Sequence, residues 1–358
     1  MKAIEKKENL FRYENLFLLE SGAHLPGFEL HYTTYGNLNE VGDNVVWVCH
    51  ALTGSSDFTS WWGELFTDES TLNPHDHMII GVNLLGGCYG STGPLSVDPT
   101  SGAPFLHQFP RLTNRDAVRA FDLLRRHLNI NTIKVLIGGS LGGQQVLEWS
   151  IMEPNVFKNI VLMACNAAHS PWGIAFNEAQ RMAIESDPSW RSDQPDAGKE
   201  GLKTARAIGM ISYRHYFTFL DTQTEDHDEV GDHFKASSYQ RYQGEKLVRR
   251  FNAYTYYLFT KMMDNHHIGR GRKGIKEALK TIRANALVVG IDTDILFPVQ
   301  EQRLLAEHIP NASLEIISSR YGHDGFLVEF DAMDKVIGKF LRQTGDQVFN
   351  IKKAGNQD

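Results

Sequence analysis

Three residues far apart in the chain have the types and settings for nucleophilic acyl transfer: Ser140, Asp294 and His323. Ser140 lies in Gly138-Gly139-Ser140-Leu141-Gly142, a G-x-S-x-G pattern. The apolar run Thr132 to Gly138 precedes it, and the helical run Val146 to Met152 follows. Strand, sharp turn and helix in that order make an elbow that lifts a serine hydroxyl above a sheet edge. Gly138 and Gly142 lack Cβ atoms, so strand and helix can approach closely. A serine hydroxyl is a weak nucleophile at neutral pH. It needs a base, and the base needs a third group to hold it. His323 follows the apolar run ending at Ile317, within Tyr321-Gly322-His323-Asp324-Gly325-Phe326. Asp294 follows Ala286 to Ile291, within the turn Asp292 to Pro298. Asp292 competes for the carboxylate role. Asp294 is preferred because it lies deeper in the loop, beside Ile295-Leu296-Phe297, whereas Asp292 can cap a turn.

The same chemistry needs donors for a developing oxyanion. The N–H of Leu141, at a helix N-terminus, is one. The loop after an early strand, His50 to Ser56, supplies the second, assigned to the Leu52 backbone. His50 is expected to pack and hydrogen-bond locally. A second glycine-rich loop, Asn83 to Pro94, lacks the lysine of a phosphate-binding loop and is expected to shape the pocket wall. His75-Asp76-His77 and His266-His267 lack a third ligand, so both are read as solvated loops and no metal site is expected.

These residues need a frame. Asn44 to Cys49 and Met78 to Val82 are continuous apolar runs, which suits strands buried on both faces of a parallel sheet. Ala117, Ala120, Phe121, Leu124 and Leu128 fall on one face of a helix over Asn114 to Leu128. Asn159 to Ala164, Ala286 to Ile291 and Ser313 to Ile317 read as strands, Val299 to His308 and Asp331 to Arg342 as helices. Two further strands are expected over Asn15 to Leu19 and Phe28 to Tyr35, after a loose tail over residues 1–12. Between about Ser170 and Arg283 the pattern turns helical: Gly173 to Glu185, Gly201 to Tyr213, Tyr239 to Met263 and Lys276 to Ile282. Alternating strands and helices with one helical interruption predict an α/β fold. Its core is residues 1–165 and 284–358, with a helical lid over 166–283. The tail after Gly345 is polar and is expected to fray.

The composition fits a soluble globular enzyme: 358 residues, 42% hydrophobic, 22% charged, formal net charge -7. Lys and Arg are scattered, which argues against a nucleic-acid face. The short patch Arg270-Gly271-Arg272-Lys273 is read as a solvated loop. No apolar run approaches the ~20 residues of a membrane span. Three separated cysteines, Cys49, Cys88 and Cys165, point to free thiols and a cytoplasmic setting.

Six strings carry a family resemblance: HALTGSS (His50 to Ser56), NLLGGCYGSTGP (Asn83 to Pro94), GGSLGGQQ (Gly138 to Gln145), AFNEAQR (Ala175 to Arg181), ISYR (Ile211 to Arg214) and YGHDGFLVE (Tyr321 to Glu329). Together they resemble the homoserine O-acetyltransferases, in the homoserine/serine O-acyltransferase branch of the α/β-hydrolase fold. The resemblance implies a mostly parallel sheet with helices on both faces and an inserted helical lid. It implies a ping-pong reaction in which Ser140, activated by His323 and Asp294, takes acetyl from acetyl-CoA and passes it to L-homoserine for methionine biosynthesis. Acetyl-CoA is then a co-substrate, and no cofactor is implied. The family's substrate-binding arginine and tyrosine match Arg206 and Tyr213, and its amino-group partner matches Asp324. Dimers through lid helices are also implied, which makes Tyr239 to Met263 a candidate interface. Gln144 stands where many members carry methionine. A succinyl donor, a serine acceptor or simple ester hydrolysis by the same triad remain alternatives.

Overall fold

The computed structural model describes residues 5–345. Expectations for residues 1–4 and for the tail after Gly345 lie outside the described residues. Eight strands form one sheet in the order β1-β4-β6-β5-β7-β8-β9-β10. They are Lys6–Tyr13 (β1), Phe28–Tyr35 (β4), Val45–Cys49 (β5), Met78–Val82 (β6), Ile133–Gly139 (β7), Phe157–Met163 (β8), Asn285–Ile291 (β9) and Ala312–Ile317 (β10). Phe17–Leu18 (β2) and His24–Leu25 (β3) make a small separate ladder. β1 and β4 run antiparallel to each other, as do β4 and β6. From β6 to β10 every pairing is parallel.

The helices, in chain order, are Thr59–Trp62 (α1), Asn114–His127 (α2), Leu141–Met152 (α3), Pro171–Glu185 (α4), Lys199–Tyr213 (α5), Tyr216–Gln223 (α6), Lys235–Val248 (α7), Ala253–Asp264 (α8), Ile275–Leu279 (α9), Val299–His308 (α10), Gly325–Val328 (α11) and Phe330–Gln343 (α12). α2 starts on a capping box: Thr113 accepts from the Asp116 N–H while the Asp116 carboxylate accepts from the Thr113 N–H at 3.0 Å. α4 starts on Ser170, followed by Pro171 at the first helical position.

The sheet is sandwiched because its central strands are apolar on both faces. In β5, Val45, Trp47 and Cys49 enter one core, with Phe121 of α2 and Trp149 of α3. Val46 and Val48 enter the other, with Met333, Ile337 and Phe340 of α12. The two-residue period of a strand divides the side chains in this way. Among the described residues, the segment between β8 and β9 contributes helices α4 to α9 and no strand to the sheet.

The structure departs from the sequence expectations in several places. Most of the expected loose tail is β1. Of its eight residues only Phe11 is buried, so this charged edge strand shows no apolar alternation to read. The expected helix Tyr239 to Met263 is two helices, α7 and α8. Asn252 separates them and caps α8 by accepting from the Thr255 N–H at 2.8 Å. The patch Arg270 to Lys273 is not simply solvated: Arg270 pairs with Glu20 at 2.9 Å, and Arg272 with the buried Glu148 of α3 at 2.6 Å. His77 and His266 are buried rather than in solvated loops.

Candidate active site

The parallel strands end on one edge, and the loops leaving that edge carry the reactive side chains. β7 ends at Gly139 and α3 begins at Leu141, so Ser140 alone makes the turn. Its backbone sits at φ 57°, ψ −125°, a region that side chains of L-residues rarely adopt. The turn is this tight because its glycines touch backbone. A Cβ on Gly138 would come 2.6 Å from the Gly142 carbonyl group, and one on Gly142 would strike the Cys49 carbonyl oxygen.

Asp294 follows β9 by three residues and His323 follows β10 by six. The two loops are laced together. Asp292 accepts from the Ser319 N–H at 3.0 Å, and Thr293 donates to the Ser319 carbonyl at 2.6 Å and accepts from the Gly322 N–H at 3.1 Å. Asp292 is thus occupied in holding the loops. The carboxylate of Asp294 is aimed instead: Oδ1 accepts from the N–H groups of Leu296 and Phe297, and Oδ2 lies 2.7 Å from His323 Nδ1. The imidazole is clamped by rings, with Phe297 stacked at 5.1 Å and Phe326 edge-on at 5.3 Å. Ser140, Asp294 and His323 are all buried.

Ser140 and His323 line one cavity of about 80 Å³. Leu52 lines it too, with Ala51 and Thr53 from the loop after β5. Leu141 sits directly after Ser140 in the first turn of α3, where backbone N–H groups have no intrahelical acceptor. The roof comes from the helical segment: Phe176, Asn177 and Gln180 of α4, Arg206, Ser212 and Tyr213 of α5, and Met263 of α8.

Arg206, Tyr213 and Asp324 meet at this cavity. The Arg206 guanidinium lies over the Tyr213 ring, 5.4 Å from its centroid, and the Tyr213 ring is 6.0 Å from that of His323. Asp324 is ion-paired with Arg214 at 2.8 Å. Burial raises the Asp324 carboxyl above the usual aspartate range, against the pull of the Arg214 and Arg206 guanidiniums. Burial also raises the Tyr213 phenol.

The sequence alone assigns no role to Arg214, Asn177 or Gln180. A signal existed for two of them, since positions 176, 177 and 180 share one face of a helix. Asn177 is held by donating to Asp264 at 2.8 Å and by contact with His169 Nε2 at 3.1 Å. The Asn83 to Pro94 loop does not line the cavity, contrary to expectation; its Leu84 N–H instead donates to His50, and its Tyr89 hydroxyl accepts from Arg250. Gln144 points away into a buried polar cluster, donating to Asn166 at 3.0 Å and accepting from Asn114 at 3.3 Å. Among the described residues, no three His, Cys, Asp or Glu side chains gather to hold a metal ion.

Comparison with known proteins shows the family. Residues 44–330 match the α/β-hydrolase fold family. A homoserine O-acetyltransferase of Cyclobacterium marinum is 49% identical over 337 residues, which cover 94% of this chain and 96% of that one. The crystal structure of homoserine O-acetyltransferase from Staphylococcus aureus superimposes with a TM-score of 0.79 at 29% identity, covering 99% and 98% of the two chains. Esterase E22 shares the fold with a TM-score of 0.86 at 18% identity, covering 94% of this chain and all of that one.

Proposed function

Because the chain belongs to the α/β-hydrolase fold family and, within it, to the homoserine O-acetyltransferases, so that its reaction is acetyl transfer to homoserine, we propose that it works by two successive acyl transfers through Ser140. In the first, the Ser140 hydroxyl attacks the thioester carbonyl of acetyl-CoA while His323 takes its proton. Asp294 stabilises the imidazolium that forms. The carbon–sulfur bond breaks, the leaving thiolate takes the proton from His323, and acetyl-Ser140 remains. In the second, the homoserine hydroxyl attacks this ester as His323 takes its proton. The Ser140 oxygen leaves and is reprotonated by His323, releasing O-acetyl-L-homoserine for methionine biosynthesis. The N–H groups of Leu52 and Leu141 stabilise the oxyanion in both steps. Acetyl-CoA is a co-substrate, and the triad needs no resident cofactor.

The observation that carries this reading is the 2.7 Å contact of Asp294 with His323, whose ring lines the cavity that Ser140 also lines. Arg206 takes the acceptor's carboxylate, with Tyr213 packed beneath it, and Asp324 takes the ammonium group. Residues 166–283 act as a lid that keeps water from acetyl-Ser140.

We also infer self-association through the lid. The expected surface, Tyr239 to Met263, is largely unsuitable because nine residues of α8 are buried. The exposed apolar residues of the lid include Tyr216, Phe217 and Leu220 of α6, Phe234, and Tyr242 of α7, and this group favours a homodimer through α6 and α7. The three free cysteines support a cytoplasmic setting. No helix among the described residues is long and apolar enough to cross a membrane.

The test is thiol release from acetyl-CoA and from succinyl-CoA, each with homoserine, with serine and with no acceptor. Release that requires acetyl-CoA and homoserine is expected. Equal release without an acceptor would make the enzyme a hydrolase, and a preference for succinyl-CoA or serine would change the substrates.

A further inference from the structure

His50 does more than pack. Its ring is buried at the end of β5, and both nitrogens are engaged. Nε2 accepts from the Leu84 N–H at 3.1 Å. An acceptor nitrogen carries no proton, so the neutral ring must carry it on Nδ1. Nδ1 lies 2.8 Å from the Ala51 carbonyl oxygen and therefore donates to it. The Gly54 N–H donates to that same oxygen at 2.9 Å.

The Ala51 carbonyl and the Leu52 N–H belong to one peptide unit. That unit is planar, with its C=O and N–H pointing opposite ways, so fixing the carbonyl fixes the N–H. Donors on the oxygen also polarise the unit and strengthen its N–H as a donor. Ala51 and Leu52 line the cavity that holds Ser140. We propose that His50 is a positioning residue for the oxyanion hole: through Leu84 and the Ala51 carbonyl it orients and polarises the peptide whose N–H stabilises the acyl oxyanion. This rests on the assignment of the Leu52 N–H under the proposed mechanism.

The arrangement is stable across the working pH range. Burial pushes the His50 ring down to about 4, so it keeps its single proton. The loop Asn83 to Pro94 thereby gains a role, since its Leu84 N–H selects the tautomer. A further bond ties the same residue to the nucleophile helix: Gln145 of α3 donates to the His50 carbonyl at 3.4 Å.

Two substitutions separate the halves of this device. His50→Asn keeps a donor at the position of Nδ1 but loses the acceptor for Leu84. His50→Gln keeps an acceptor at the reach of Nε2 but loses the donor to Ala51. The readouts are the rate of thiol release on acylation by acetyl-CoA and the ester carbonyl stretch of acetyl-Ser140, taken from isotope-edited infrared spectra with carbonyl-labelled acetyl-CoA. His50→Gln is expected to shift that stretch toward a free ester and slow acylation by about tenfold or more, with the KM for acetyl-CoA little changed. His50→Asn is expected to keep the wild-type stretch. A wild-type stretch and rate in His50→Gln would overturn the proposal. So would a displaced stretch in His50→Asn, a measurement that stands even where the glutamine variant fails to fold. Absence of acetyl-Ser140 in the wild-type protein would instead refute the mechanism on which the proposal rests.

Discussion

One oxygen of Asp294 lies 2.7 Å from Nδ1 of His323, and the other accepts two backbone N–H groups, from Leu296 and Phe297. The carboxylate therefore cannot turn without losing bonds on both sides. It holds the imidazole proton on Nδ1 and leaves Nε2 to act on the serine. Asp294→Asn is expected to lower kcat for thiol release by about 10³- to 10⁴-fold while the protein stays folded. A loss below tenfold would show that Asp294 is not the orienting group.

The φ of 57° at Ser140 stores backbone strain that a glycine would not feel. Ser140→Gly is expected to stabilise the fold by about 1 kcal/mol, and Ser140→Ala to leave stability near wild type, since alanine keeps the strain. Both should abolish acyl transfer. Chemical denaturation compares the three proteins, and equal stability of the glycine and alanine variants would contradict a strained elbow.

Asp324 can bind an ammonium group only as a carboxylate. Burial raises its pKa, so its charge is lost at a higher pH than for an ordinary aspartate as the solution is acidified. The acid limb of homoserine binding, read as its dissociation constant against pH in Ser140→Ala, should report this. Arg214 is the strongest influence pulling that pKa down, followed by Arg206. Arg214→Met should therefore move the acid limb to higher pH. Arg206→Ala should do so less, and should chiefly raise the KM for homoserine. An unchanged limb in Arg214→Met, or an unchanged KM in Arg206→Ala, would remove that residue from the acceptor site.

The exposed apolar face of α6 gives a prediction about assembly. Wild-type protein is expected to sediment as a dimer, and Phe217→Asp with Leu220→Asp as a monomer. A monomeric wild type, or an undisturbed dimer in the double variant, would exclude this face as the interface.

The parts of this architecture that were legible in the sequence share a physical cause. Buried parallel strands must be apolar throughout, so β5, β6 and β9 could be read from composition alone. The elbow was legible because its glycines are demanded by backbone contacts, as at Gly142 against Cys49. β1 was not, because an exposed edge strand buries one side chain in eight. The break between α7 and α8 was hidden because Asn252 is a cap in structure but an ordinary polar residue in a helical pattern. The pairing of Arg214 with Asp324 was illegible for another reason: it joins the end of α5 to a loop more than 100 residues later, and no local pattern records such a meeting. The sequence marks His50 as a local hydrogen-bonding residue, but its orientation toward the Ala51 carbonyl depends on Leu84, which only the folded chain brings near.

The central claim is that Ser140 carries the acetyl group between two substrates. Peptide mass spectrometry after mixing the protein with acetyl-CoA alone tests it most directly. One acetyl group on the peptide containing Ser140 is predicted, lost on addition of homoserine with formation of an equal amount of O-acetylhomoserine. O-acetylhomoserine formed at full rate with no acetyl on that peptide, or formed equally well by Ser140→Ala, would contradict the account.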